Sequence, residues 1–580
     1  MMNLKKNINI CKYYLFKIHE SGPSMFKNIL LWSIIAGFVE MLSLGMVVPI
    51  IVGMIDVMEN GFVQNSIISN LEKYMSINAM FLLMTFSIVI IFYMKITFIK
   101  WFQRKMIFSA NLYEVNISTS WLKNMANWDY SKFILKDTGV LLRTISSDIS
   151  NSVHLVFLPS LGLISEIISI IGIVVATYFI SEIVFLIECT MMLVFLLFNY
   201  MKRNKANEIK EYGRRQQIYE SRRLLSAKSF FNSYKEMKVH NNASFIIKHY
   251  RDSVVKKAHF SSLNQLIQQV PRLYVELILV LTIIISLLIM YFIQSEDVDM
   301  KTNFAVLVVA GMRVAPSFTK IIGNISSISF GFQSLKWIVE DFQVIRKDRI
   351  DPKNGMCFSR LNWGLYLKNI SISRNTQSER EVFNGANFSI LKGDKILVKG
   401  KSGSGKSTLV DLISGLLRPN SGDMFIKINQ KEYPVNGLKI SYMPQQFSLF
   451  KGDIDSNITF GLEYKKELVT KVSGITGVLE NIVPRGSFTK KIKILDNGES
   501  LSGGQKQRIG IARALYREAD LLILDEATNA LDSESESKIL HSIVESYPQI
   551  TILFITHNEN IDESIFNRKI LIKNGKINDK

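Results

Sequence analysis

Residues 394–417 read DKILVKGKSGSGKSTLVDLISGLL. An apolar run, a loop of glycine and serine, and a second apolar run predict strand, tight loop and helix in that order. Within it Gly400 to Ser407 fits the pattern G-x-x-x-x-G-K-S at every fixed position. Gly400, Gly403 and Gly405 allow backbone N–H groups to surround a β-phosphate without a side chain in the way, and Ser402, Ser404 and Thr408 complete the lining. Lys406 brings a cation to the β- and γ-phosphates, and Ser407 a hydroxyl to Mg²⁺. The stretch predicts a nucleoside triphosphatase of α/β class.

A second fixed point lies at residues 520–532, DLLILDEATNALD. The apolar strand Leu521 to Leu524 ends in Asp525, placed to hold Mg²⁺ through water. Glu526 follows and can polarise an attacking water as a general base. Two acids at a strand end are common in α/β domains, but their company with a phosphate loop in one chain favours catalysis.

The remainder of the chain is of another kind. Over 580 residues, 48% are hydrophobic and 21% charged, with a net charge of +19 and a mean hydropathy of +0.18. That balance suits a composite of a membrane half and a soluble half. Six apolar runs reach the roughly 20 residues needed to cross a bilayer: Ile29–Ile55, Tyr74–Trp101, Val153–Ile180, Ile183–Tyr200, Leu277–Gln294 and Phe304–Ile325. Only Ser181 and Glu182 separate the third from the fourth, which predicts a tight helical hairpin. Between Lys202 and Lys257 fifteen Lys or Arg face five Asp or Glu, and residues 104–148 are also basic. The connections on the opposite side are short or acidic. The positive-inside rule therefore puts both termini and both long loops in the cytoplasm, and explains the net charge without nucleic acid. The long loops lack strand alternation and read as helices continuing the spans, with turns near Trp128–Lys136 and Ser229–Lys238.

Cys11, Cys189 and Cys357 are far apart and odd in number, which fits neither a disulfide framework nor a metal site. Met1 to Ser24 carries lysines but no apolar core, so no cleavable signal peptide is expected. Pro352, Asn354 and Gly355 mark a linker. The division expected is a transmembrane domain over 1–340, a linker over 341–364 and a nucleotide-binding domain over 365–580.

Leu501 to Arg508, LSGGQKQR, makes the sequence resemble the ATP-binding cassette transporters. Gln445 in YMPQQ is similar to that family's Q-loop glutamine, His557 in ITHN to its switch histidine, and Asn529 to Asp532 to its D-loop. The resemblance implies ATP and Mg²⁺ as cofactors, with Ser407, Gln445 and Asp525 toward the metal and Glu526, His557, Gln445 and Lys406 in catalysis. Ser502, Gly503, Gly504 and Gln505 of the signature, with Asp532, would meet the nucleotide across a subunit interface. Where the family carries an adenine-stacking aromatic, this chain has NISISRNTQ, in which Arg374 offers a guanidinium plane instead. LDNGES stands where the family usually has GERG.

The implied fold is an all-α six-helix transmembrane domain of the type I exporter (type IV) kind, fused to an α/β P-loop domain. One cassette per chain implies a homodimer with twelve spans, a heterodimer with a degenerate partner being the alternative. Residues 129–150 are similar to the first coupling region of family exporters, including Thr138, Gly139 and Asp148.

Charges inside the spans bear on the cargo: Glu40, Lys95, Glu166, Glu188, Arg313 and Lys320. Arg313 and Lys320, seven apart, share a helical face. They line a cavity for an anionic head group or are paired with acids such as Glu40 or Glu166. FVEMLSLGMVVPII, QVPRLYVE and RVAPSFTKII resemble bacterial flippases for lipid-linked oligosaccharides. That resemblance implies a polyprenyl-pyrophosphate glycan as substrate, the inner membrane as location, and Glu40, Arg272, Arg313 and Lys320 as substrate positions. The rival cargoes are a bacteriocin-like peptide and a lipid A-type lipid. A non-transport cassette ATPase is disfavoured by the six spans.

Overall fold

The computed structural model of the chain describes residues 27–42, 50, 76–201, 205–293, 300–347, 361–373, 381–435, 438–482, 493–494, 501–558, 561–573 and 575–579. It falls into two units, Met1–Trp128 with Lys132–Arg349, and Ile350–Lys580 with Asp129–Ser131.

The first unit is helical throughout its described residues. After α1 (27–42) come α2 (Ile77–Met125), α3 (Tyr130–Leu135), whose first two residues are counted with the second unit, and α4 (Thr138–Arg143). Two widened π turns, Thr144–Asp148 and Ser152–Phe157, lead into α5 (Leu158–Ile180). Then follow α6 (Glu182–Met201), α7 (Lys205–Asn232), α8 (Tyr234–His240), α9 (Ser244–Ile293) and α10 (Met300–Lys347). Among the described residues four helical stretches are long and apolar enough to cross a membrane: Phe81–Met125, Thr138–Phe179, Ser244–Leu288 and Val306–Phe342. The fourth expected run forms α6, and much of the first lies outside the described residues.

α2, α9 and α10 hold 49, 50 and 48 residues. At 1.5 Å per residue each is roughly 70–75 Å long, over twice the ~30 Å hydrocarbon thickness of a bilayer. The basic loops are therefore continuations of the spans, as their composition predicts. α3 falls in the first expected turn, and the break between α7 and α8 at Ser233 falls in the second. The hairpin between α5 and α6 turns on one extended residue, Ser181, whose hydroxyl accepts from the Val184 N–H at 3.3 Å.

The core of this unit is apolar with a few polar links. Trp121, Ile117, Leu335 and Ile338 are fully buried together. The Trp121 indole N–H donates to Asp341 Oδ2 at 3.4 Å, and Lys136 pairs with the other oxygen of Asp341. α10 runs to Lys347, seven residues into the stretch read from sequence as linker.

The first strand of the second unit, β1 (Trp363–Ser373), starts two residues before the expected boundary. β1, β2 (Glu381–Leu391), β4 (Ser421–Ile428) and β5 (Lys431–Tyr433) make an antiparallel sheet in the order β2-β1-β4-β5. The larger sheet has the order β12-β11-β3-β10-β9-β6. Its strands are β3 (Lys395–Gly400), β6 (Ile440–Met443), β9 (Leu521–Asp525), β10 (Thr551–Ile555), β11 (Arg568–Lys573) and β12 (Lys576–Asp579). All pairs in it are parallel except β11 with β12. A two-strand bridge joins β7 (Gly452–Asp453) to β8 (Lys493–Ile494). The helices are α11 (Lys406–Ile413), α12 (Ile454–Thr459), α13 (Lys466–Ile475), α14 (Val478–Asn481), α15 (Gly503–Tyr516) and α16 (Ser533–Ser546).

β9 and β10 are buried at every residue, as expected of central parallel strands covered on both faces. One face packs on the antiparallel sheet through Ile396, Val398, Leu521 and Ile523, the other on α15 and α16 through Leu397, Leu522, Leu524 and Ile539. The carboxyl ends of β3, β10, β9 and β6 thus lie side by side along one edge. Ligands of open α/β sheets bind along such an edge.

Candidate active site

Each of those four strand ends delivers one sequence motif. β3 runs into the phosphate loop and α11. Gly405, the residue before α11, has φ +108°, and a Cβ there would lie 2.9 Å from Val382 Cγ1 and 3.0 Å from Phe383 Cζ. Only glycine meets both demands. The Lys406 ammonium donates to the carbonyls of Gly400 at 2.9 Å and Lys401 at 3.2 Å, so it bridges the mouth of the loop. Burial lowers its pKa, against the pull of the nearby Glu526 and Asp525 carboxylates. Ser404 Oγ is buried without a hydrogen-bond partner, and Ser407 is exposed at the start of α11. Cationic head, open backbone cradle and unpaired hydroxyl fit a triphosphate.

β9 ends in Asp525, which accepts from the Tyr442 hydroxyl at 3.3 Å; desolvation raises the Asp525 pKa. Glu526 follows with φ +48°, an uncommon backbone for a residue with a side chain. Its N–H donates to the Ile555 carbonyl of β10 at 2.9 Å, which holds the turn. Three groups converge on its carboxylate. Gln445 Nε2 donates at 2.5 Å and Asn529 Nδ2 at 2.7 Å to Oε2, and His557 Nε2 lies 3.0 Å from Oε1. Gln445 follows β6 and His557 follows β10. The four expected catalytic residues thus share one sheet edge, three of them in one hydrogen-bonded cluster. A carboxylate held this way, beside an open phosphate cradle, can take a proton from a water. Ser407, Gln445 and Asp525 supply a hydroxyl, an amide oxygen and a carboxylate, a set of hard oxygen donors suited to Mg²⁺.

The signature occupies another element. Ser502 caps α15, accepting from the Gln505 N–H at 3.2 Å while Gln505 Oε1 accepts from the Ser502 N–H at 3.0 Å. Gln505 also donates to the Asn481 carbonyl at 2.9 Å. A Cβ at Gly504 would come within 3.1 Å of the Ala530 carbonyl and of Leu531 Cδ2, so glycine there lets α15 lie against residues 530–531. The Ala530 N–H donates to Gln507 Oε1 at 2.8 Å, which ties the signature helix to the loop after Glu526. Asp532 caps α16, accepting from the Ser535 N–H at 3.0 Å, and these bonds lower its pKa. Within this chain Gln505 and Asp532 are therefore engaged in helix capping. Arg374 lies outside the described residues.

Two site residues were not singled out from the sequence as contacts. Asn529 opens the stretch similar to the D-loop, and its spacing of three from Glu526 is the available signal. Tyr442 precedes Gln445 by three residues in YMPQQ but gave no reason to be placed against Asp525. A cavity of about 1050 Å³ lies between β6 and α15 and shares Tyr442 with the site but not the phosphate loop.

In the helical unit two of the expected substrate residues are paired with acids. Lys320 Nζ is 2.6 Å from Glu166 Oε1, joining α10 to α5. The basic stripe expected along α10 is balanced by an acid at Lys320, which pairs with Glu166. Arg272 is paired with Glu276 one turn along α9, at 2.8 Å on an exposed face. Glu40 is buried in α1. Arg313 lies in α10, and its side chain is outside the described ones.

Fold and site together define a P-loop ATP-binding cassette joined to a multi-pass helical membrane domain. Residues 383–529 match the ABC transporter family model, and the chain carries that family's nucleotide-binding domain. The chain is similar to a putative export ATP-binding/permease protein of Rickettsia bellii, 39% identical over 222 residues, covering 36% of this chain and 37% of the relative. It is similar also to an ATP-dependent lipid A-core flippase of Burkholderia thailandensis, 27% identical over 350 residues, covering 59% of this chain and 58% of the relative. These matches therefore span little over half of the relatives at most. Among solved structures a bacterial Atm1-family ABC exporter with ATP bound superposes with a TM-score of 0.78 at 16% identity, over 96% of this chain and 95% of that one. The fold is that of a type I ABC exporter.

Proposed function

We propose that the chain is an ATP-hydrolysing exporter that flips an amphiphilic lipid carrying a phosphorylated sugar head, most specifically a polyprenyl-pyrophosphate glycan, across the bacterial inner membrane. The observation that carries the ATPase is the carboxylate of Glu526 held by Gln445, Asn529 and His557 beside the phosphate loop. In this reading Glu526 is the general base, His557 and Gln445 orient it and sense the γ-phosphate, and Lys406 neutralises the β- and γ-phosphates. Mg²⁺, held by Ser407, Asp525 and Gln445, would offset charge on the departing phosphate.

Two copies would face each other so that Ser502 to Gln505 of one meet the nucleotide of the other, and both termini would lie in the cytoplasm. The cargo reading rests on the sequence resemblance in the membrane half, supported by the names of relatives as ATP-dependent lipid A-core flippases. Within it Glu40, Arg272, Arg313 and Lys320 remain the substrate positions. Lys320 is best read together with Glu166, as a dipolar pair that hydrogen-bonds a head group, in place of a bare cation.

Mass spectrometry of lipid extracts from cells expressing the chain or Glu526→Gln tests this. Accumulation of polyprenyl-pyrophosphate glycans in the mutant supports the reading. Unchanged glycan lipids with a rise in a lipid A-type lipid or a peptide would transfer the machine to that cargo.

A further inference from the structure

Glu188 of α6 is 7% exposed. Its Oε2 accepts from the Thr177 hydroxyl of α5 at 2.7 Å, while its Oε1 is buried with no hydrogen-bond partner. Among the described residues no cation lies within ion-pair distance of it. An acid so placed among apolar helices carries a desolvation cost of several kcal/mol when ionised and unpaired, and such residues inside membrane spans mark binding sites or pathways.

Glu188 lines a small pocket of about 20 Å³ together with Ile187, Met191, Thr282, Ile283 and Gly311. Beside it, sharing Ile187, Met191 and Thr282, a groove of about 240 Å³ runs between α6 and α9, walled by Ile278, Leu281 and Ile285. Leu281 and Ile285 are half exposed, so the groove is open along its outer side. The Thr282 hydroxyl is committed to the Ile278 carbonyl at 2.7 Å and does not serve Glu188.

We propose that this is a binding site for the primary ammonium head of a lipophilic amine, with –NH₃⁺ against Glu188 Oε1 and the alkyl chain in the groove. Charge selects a cation, the groove wall selects a hydrocarbon chain, and the small pocket sets the size of the head. A volume of about 10–15 Å³ is the least that holds one water, so the pocket takes an ammonium group and excludes a trimethylammonium. The site uses none of the residues assigned above to the cargo, and it stands or falls separately from that assignment.

The test is thermal unfolding of the full chain in alkyl maltoside micelles with decylamine, decanol or decyltrimethylammonium at equal concentration. Decylamine is expected to raise the Tm of the wild type above its value with either of the others. Glu188→Gln should abolish that difference, and so should Met191→Trp, which fills the groove. If Glu188→Gln does not fold, the three-ligand comparison on the wild type still decides. Equal shifts with decylamine and decanol, or an amine effect retained in Glu188→Gln, overturn the proposal. Repeating the titration in nanodiscs of phosphatidylglycerol, with and without phosphatidylethanolamine, identifies the natural source. An amine effect suppressed by phosphatidylethanolamine assigns the site to a lipid head group, and one that persists assigns it to a free amine.

Discussion

At Gly405 the backbone turns through φ +108° under the rings and methyls of Val382 and Phe383. Strain of this kind costs about 1–3 kcal/mol for a residue with a Cβ, before any clash. Gly405→Ala should therefore weaken binding of a fluorescent ATP analogue at least about tenfold, at 1.4 kcal/mol per decade, while leaving the helical unit intact by circular dichroism. Glu563 shows a different residue-scale effect. Lys399 and Lys569 hydrogen-bond its carboxylate and hold its pKa at about 2, well below the usual 4.5. A depressed carboxylate contributes stability above its unfolded pKa and loses it as pH falls through the folded value. The Tm deficit of Glu563→Gln relative to wild type should thus be present at pH 7 and shrink as pH falls below about 4.5. High salt should shrink it at pH 7 also, because the three side chains are partly exposed.

Between elements, the buried cluster around Arg143 is the clearest case. Arg143 Nε lies 2.7 Å from Asp148 Oδ2, its Nη1 donates to Ser221 at 3.0 Å, and its guanidinium sits 3.9 Å from the Trp337 ring centroid. Ser334 of α10 donates to Asp148 at 3.3 Å. α4, the π turn after it, α7 and α10 are tied at one point. Removing one partner of a buried pair leaves the other uncompensated, at about 3–5 kcal/mol. Arg143→Leu should sharply lower the Tm in detergent, and Arg143→Leu with Asp148→Leu should lower it less than the sum of the single changes. An additive double mutant would show the pair to be incidental. At α15 the reciprocal Ser502–Gln505 cap is worth about 1 kcal/mol, so Ser502→Ala should cost little stability compared with any loss of ATP turnover.

For the whole molecule, the proposed dimer makes an arithmetic prediction. Lys406→Ala and Ser502→Arg chains should each be inactive alone. Mixed dimers, half of a random population, would keep one intact composite site in two, so co-assembly should restore about a quarter of wild-type ATPase. No recovery in verified mixed dimers would remove the shared-site reading.

Much of this protein is legible in one dimension because its strongest signals are local. Phosphate loop, strand-end acids and signature are short motifs with fixed spacing, and apolar runs of roughly 20 residues announce membrane helices whatever surrounds them. Even the extension of α2 and α9 beyond the thickness of a bilayer follows from helical composition and basic charge. Partners distant in the chain are another matter. Nothing in the spacing says that Lys320 pairs with Glu166, 154 residues away, or that Gln445, Asn529 and His557 meet on Glu526. Those contacts depend on which helices pack together and on the strand order β3-β10-β9-β6, which brings four loops far apart in sequence to one edge. The sequence by itself determined the residue chemistry and the two kinds of domain, because composition and local pattern decide them. Only the tertiary structure decided which charges are balanced and which, like Glu188 Oε1, are buried without a hydrogen-bond partner, because solvation and pairing depend on neighbours supplied by other elements.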